Sequence, residues 1–74
     1  MSGAIIRRAA EWADNAPAEE GYADTAPRLR EIADAVERGD VDCDGLAYEV
    51  ANEPRALWSG VVVWAESRGM AVMS

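Results

Sequence analysis

The sequence contains no histidine, no lysine and no phenylalanine, and it has a single cysteine. The absence of histidine excludes a histidine general base and a histidine-ligated metal ion, and the absence of lysine excludes a Schiff-base lysine. One cysteine cannot form an internal disulfide bond or supply two thiolates to a metal. Because no catalytic motif remains, we expect a protein without enzymatic activity, cofactor or bound metal.

The chain also lacks long hydrophobic runs. No stretch approaches the ~20 apolar residues of a transmembrane helix, and the first residues contain no apolar signal core. The lone thiol, Cys43, is typical of a reducing compartment. With 74 residues, the chain is long enough for one small domain only. We therefore expect a single domain over residues 1–74, cytoplasmic and without membrane contact.

Positive charge is scarce. Seven arginines face 14 acidic residues, which gives a formal net charge of -7. Phosphate backbones and anionic membranes repel such a chain, whereas a basic protein surface attracts it. The imbalance lies in residues 31–53, where eight acidic residues face only Arg38. This distribution predicts a binding protein that docks on the basic surface of a nucleic-acid-binding complex without contacting nucleic acid itself.

Apolar residues recur at helical spacing in four segments: about 3–15, 25–38, from 42 to about 51, and 52–68. Thr25, Asp42 and Asn52 are the predicted N-caps, and Gly39 and Gly69 the stops. We therefore predict an all-α fold, a small bundle of three to four short helices. The β-branched and aromatic residues at 60–65 also suit a strand, so a short β element there is the alternative.

The predicted partner-binding residues are carboxylates with two aromatic anchors. Tyr and Trp are favoured at the energetic centres of interfaces, although packing at the rim of a small core would also explain both. The predicted set is Glu31, Asp34, Glu37, Asp40, Asp42, Asp44 and Glu49, with Tyr48 and Trp58 as the apolar anchors.

A calcium-binding module is a second hypothesis. Residues 40–45 match the first half of an EF-hand loop, D-x-D-x-D-G, and this resemblance implies that Asp40, Asp42 and Asp44 would be ligands. The second half departs from the pattern, because the position of the bidentate Glu is Ala51 and the ninth position is Tyr48. Calcium would lose two oxygen ligands, so the segment 40–51 is a degenerate EF-hand at most.

Size, acidity and the lack of catalytic residues together resemble the small inhibitors encoded by phages and mobile elements, of the anti-CRISPR kind. The resemblance covers the overall character of the chain. It implies a non-enzymatic inhibitor, in some members a nucleic-acid mimic, that occupies the basic groove of an effector complex. The alternative is a small helical regulatory subunit of the antitoxin type, which would form a homodimer through Trp58, Val62 and residues 70–73.

Overall fold

The computed structural model describes residues 2–46 and 53–72. In these ranges the chain forms three α-helices: α1 (Ser2–Asn15), α2 (Ala26–Arg38) and α3 (Pro54–Ser67). Two short 3-10 turns, Ala18–Glu20 and Tyr22–Thr25, connect α1 to α2. The predicted all-α fold is confirmed. The β alternative is not supported, because residues 60–65 lie inside α3 and the described ranges contain no strand.

The first two helices form an antiparallel hairpin. Arg7 near the start of α1 pairs with Glu37 near the end of α2, and Asp14 near the end of α1 pairs with Arg30. The inner face of α1 is built from alanines, because Ala9, Ala10 and Ala13 are fully buried. Small side chains let the two backbones approach closely, and the larger Ile6 of α1 shares the core with Leu29 and Ile32 of α2.

Both ends of α2 lie where the sequence places them, but one cap differs in chemistry. Gly39 adopts a left-handed conformation with φ of 83°, and the Asp40 amide donates to the Ala35 carbonyl at 2.9 Å. This is the Schellman geometry expected of a glycine stop. Thr25 is the N-cap residue, yet its hydroxyl caps no helix amide and donates instead to the Tyr22 carbonyl at 2.7 Å.

The start of α3 is capped by Glu53. Its carboxylate accepts hydrogen bonds from the amides of Arg55 at 3.1 Å and Ala56 at 2.8 Å. The predicted cap, Asn52, lies outside the described residues. Pro54 follows in the first turn, where its missing N–H leaves no bond unmade. The helix ends at Ser67, close to the predicted stop at Gly69.

The predicted third helix is wrong in its described part. Residues 42–46 contain a turn at Asp44 and Gly45 and no helix, and the Asp42 carboxylate accepts from the Asp44 amide at 3.1 Å. An N-cap makes the same bond, but here Gly45 follows with a left-handed φ of 83°, which a right-handed helix does not contain. The rest of that segment, residues 47–52, lies outside the described residues.

The helix α1 lies between the other two. It packs along α2 and against α3, while the backbones of α2 and α3 approach each other at few points. The C-terminal chain folds back onto this core, since Val72 is buried and the Arg28 guanidinium donates to the Ala71 carbonyl at 3.0 Å. No helix in the described ranges has the length and apolar character needed to cross a membrane.

Candidate functional site

Every predicted acidic residue that the structure describes is exposed. The group comprises Glu31, Asp34, Glu37, Asp40, Asp42 and Asp44. The first three lie on α2 and the others in the loop that follows it. Glu49 and Tyr48 lie outside the described residues. The described carboxylates are therefore open to solvent along α2 and its C-terminal loop.

Arg7 of α1 reaches across to α2 and holds two of these carboxylates. It bonds Glu37 through Nη2 at 2.8 Å and through Nε at 3.1 Å, and its Nη2 also donates to Asp34. The hydrogen bond from Arg7 lowers the pKa of Glu37 below its usual value of 4.5. Asp34 and Glu37 thus share one cation, and the site is less negative at this point than the sequence alone implies.

Two further acidic residues pair with arginines near them in sequence. Arg28 contacts Glu31 at 3.1 Å and Arg38 contacts Asp40 at 3.0 Å. In contrast, none of the arginines in the described ranges lies within ion-pair distance of the Asp42 or Asp44 carboxylate. The chain's own arginines therefore bind four of the predicted partner-binding carboxylates, which makes the acidic stretch less one-sided in space than along the sequence.

Trp58, one of the two predicted apolar anchors, is buried, and its position matches the packing alternative. The side chain is 8% exposed, and its indole N–H donates to the Thr25 hydroxyl at 2.9 Å. Val62 is buried as well, at 5% exposure. Both residues, which the sequence also suggested for a homodimer, lie in the core.

An aromatic cluster surrounds Trp58. The Tyr22 ring meets the Trp58 ring edge-on with centroids 4.7 Å apart, and the Trp12 ring lies 5.0 Å from Tyr22 and 6.1 Å from Trp58. The Arg55 guanidinium lies 5.7 Å from the Tyr22 ring. The three rings pack against one another. The cluster therefore joins α1, α3 and the second 3-10 turn beside the core.

A groove of about 580 Å³ runs along the outer side of α3. Its lining includes Val63. This side chain is 64% exposed, and no other large hydrophobic residue of the described ranges is classed as exposed. Small side chains line much of it, and a loop closes one end. The described lining residues are Ala56, Ser59, Gly60, Val63, Trp64 and Ser67 of α3, Arg68 directly after it, and Asp44 and Gly45 of the loop. Asp44 is the predicted site residue that reaches this groove.

At the closed end of the groove, Arg68 and Trp64 meet Asp44. The indole N–H of Trp64 donates to the Asp44 carbonyl at 2.9 Å, and Nη2 of Arg68 donates to the same oxygen. The Arg68 guanidinium lies 5.5 Å from the Trp64 ring centroid, within cation–π range. Sequence analysis missed this arrangement, although the spacing of Trp64 and Arg68 by one helical turn was a usable signal.

The residues that the structure describes contain no group of three or more His, Cys, Asp or Glu side chains placed to hold a metal ion. Of the predicted EF-hand ligands, Asp40 pairs with Arg38 and Asp42 bonds a backbone amide. The second half of that loop falls largely outside the described ranges. These contacts leave the calcium hypothesis without a described ligand set.

Comparison with protein-family models, with curated proteins and with solved structures finds no match for this chain.

Proposed function

We propose that this chain is a non-enzymatic acidic protein that binds a basic protein surface and blocks it. The observation that carries the proposal is exposure: each described carboxylate of residues 31–53 faces solvent. The arginines that contact the described part of this stretch are too few to balance it, since Arg7, Arg28, Arg38 and Arg68 face eight acidic residues. The neighbourhood keeps a net negative charge that a cationic partner would complement.

The ion pairs within the chain are compatible with this role because they are exchangeable. Their side chains are between 41% and 69% exposed. Pairs at such exposure contribute at most about 1 kcal/mol each. The arginines of a partner that desolvate the same carboxylates can therefore replace the chain's own arginines at small cost. Among the described residues, the Asp42 and Asp44 carboxylates have no ion pair to exchange, although Arg68 bonds the Asp44 carbonyl.

The partner class that fits this charge is a nucleic-acid-binding protein, because such proteins concentrate Lys and Arg along one groove. A protein carrying exposed carboxylates along one helix and its following loop would compete with the phosphates for that groove. Inhibition of a nucleic-acid-handling complex, as in the anti-CRISPR-like inhibitors, is the corresponding activity.

Two variants of equal charge test the proposal. The first neutralises the predicted surface with Asp34→Asn, Glu37→Gln, Asp40→Asn and Asp42→Asn. The control removes four exposed carboxylates elsewhere with Glu11→Gln, Glu19→Gln, Glu20→Gln and Asp24→Asn. Both variants and the parent chain are immobilised, exposed to host lysate at low and high salt, and compared for the proteins they retain.

The expected result is a nucleic-acid-binding protein that the parent and the control retain at low salt and release at high salt, and that the first variant fails to retain. The purified partner should then lose its nucleic acid when the parent chain is added. Equal retention by the two variants, or a partner that stays bound at high salt, would contradict the proposal.

A further inference from the structure

We propose that the closed end of the α3 groove is a subsite for an arginine side chain of the partner, and that Arg68 fills it in the free protein. The inference rests on the proposed function, because it identifies how part of the same acidic protein would recognise a cationic partner. It concerns the surface formed by Asp44, Trp64 and Arg68, of which only Asp44 was predicted from the sequence as a site residue.

The chain itself demonstrates that this surface accepts a guanidinium. Arg68 places its planar head 5.5 Å from the Trp64 ring centroid and donates to the Asp44 carbonyl. The Trp64 side chain is fixed by burial and by a hydrogen bond. It is 5% exposed, and its indole N–H donates to the same Asp44 carbonyl at 2.9 Å. One wall of the subsite is therefore an ordered ring face, and the other contains an oriented backbone acceptor.

The charge around the subsite favours a cation from outside. The Asp44 carboxylate is exposed and has no arginine within ion-pair distance among the described residues. The groove continues from this end along α3 past Gly60 to Ala56, which gives room for the chain that carries an incoming side chain. A second copy of this protein is a poor occupant because its net charge of -7 would repel the first.

Arginine is the expected ligand rather than lysine. A guanidinium stacks flat on an indole and keeps its in-plane N–H groups available for the Asp44 oxygens, whereas a compact ammonium cannot do both. Because Arg68 already makes these contacts, a partner arginine has to displace it. Arg68 thus lowers the affinity of the free protein for arginine-bearing partners.

The test uses an oligo-arginine peptide and an oligo-lysine peptide of equal length, titrated into the full chain by calorimetry at low salt. The Arg68→Gln variant vacates the subsite. Arg55→Gln is the matched control, since it removes the same charge and a comparable cation–π contact, with Tyr22, outside the groove. We expect Arg68→Gln to bind the arginine peptide roughly two- to fivefold more tightly than Arg55→Gln does.

A second measurement uses the unaltered protein and so does not depend on the folding of a variant. In proton–nitrogen NMR spectra, the arginine peptide should shift the indole N–H signal of Trp64 more than that of Trp58, and the lysine peptide should shift Trp64 less. An unchanged Trp64 signal at saturating arginine peptide would overturn the subsite.

The outcomes separate the two proposals. Equal binding of both peptides, with equal affinities for Arg68→Gln and Arg55→Gln, overturns the arginine subsite and leaves the acidic binding function standing. If neither peptide binds the parent chain at low salt, both the arginine subsite and the acidic binding function are contradicted.

Discussion

The indole N–H of Trp58 in α3 donates to the hydroxyl of Thr25 at the start of α2, with 2.9 Å between the two atoms. Thr25 is 3% exposed, and its hydroxyl donates a hydrogen bond to the Tyr22 carbonyl. This pair links helices whose backbones approach each other at few points. It also satisfies both polar groups, and the described part of the core contains no side-chain nitrogen or oxygen that is buried and unbonded.

We expect Thr25→Val to destabilise the protein by about 1–3 kcal/mol, because it leaves the Trp58 N–H buried without an acceptor. Thr25→Ser is the control, since it keeps the hydroxyl and removes only a methyl group. Urea unfolding followed by tryptophan fluorescence measures both. Equal losses for the two variants would show that packing, and not the hydrogen bond, gives Thr25 its importance.

The contact between Arg7 and Glu37 predicts a pH dependence. Since the pKa of Glu37 is lowered in the folded state, its contribution to stability is present above its usual value of 4.5 and is lost as the pH falls through the lower folded value. In Arg7→Met the pKa of Glu37 should rise toward 4.5, and the loss of stability in acid should become shallower. Carbon-13 NMR of the Glu37 carboxyl measures the pKa.

Arg38→Met is the control for this titration, because it removes the same charge but contacts Asp40 rather than Glu37. A Glu37 pKa that moves equally in both variants would indicate a general effect of net charge, and the specific contact would then have no part in it.

The capping carboxylate of Glu53 gives a prediction with a built-in comparison on the same helix. Glu53→Ala removes the acceptor for the Arg55 and Ala56 amides and should cost roughly 0.5–2 kcal/mol. Glu66→Ala removes the same charge near the C-terminus of α3, where a negative charge opposes the helix dipole, so it should be neutral or slightly stabilising. Thermal unfolding by circular dichroism compares them, and equal effects would contradict the capping role.

Gly39 ends α2 at φ of 83°, a conformation that L-residues adopt at a cost. Gly39→Ala should therefore lower the free energy of unfolding by about 1–2 kcal/mol. Gly39→Asn should cost less, because asparagine tolerates the left-handed region better. A Cβ atom at position 39 would have no neighbouring heavy atom within 4 Å, so a steric clash would not contribute to the loss of stability. Unfolding in guanidinium chloride is sufficient to measure the difference.

The sequence predicts α1 and α2 well because their signals are local. Helical spacing of apolar residues, Pro27 in the first turn and Gly39 after the last turn act within a few residues of each other. The described start of the third predicted segment fails for a local reason too, since Asp42 bonds the Asp44 amide as an N-cap would, but the chain then turns at the left-handed Gly45. An aspartate that caps a helix and one that stabilises a turn have similar sequence signatures.

The candidate site was harder to predict because it depends on how the helices pack. The ion pairs of Arg7 join residues 27 and 30 positions apart, so spacing along the chain does not reveal them. The burial of Trp58 was not predicted, for a related reason. The stripe of Leu57, Val61 and Trp64 suggested one buried face, whereas α3 also buries Trp58 and Val62, which makes its apolar face wider than a single stripe.

The central position of α1 has a consequence for how the molecule comes apart. Three buried alanines of α1 belong to the core that it forms with α2 and α3. The backbones of α2 and α3 approach each other at few points. If α1 detaches, neither remaining helix retains an adequate apolar partner, and short isolated helices are marginal in water. Loss of the N-terminal helix should therefore abolish the helical signal of the whole domain in a single cooperative transition, with no stable two-helix remnant.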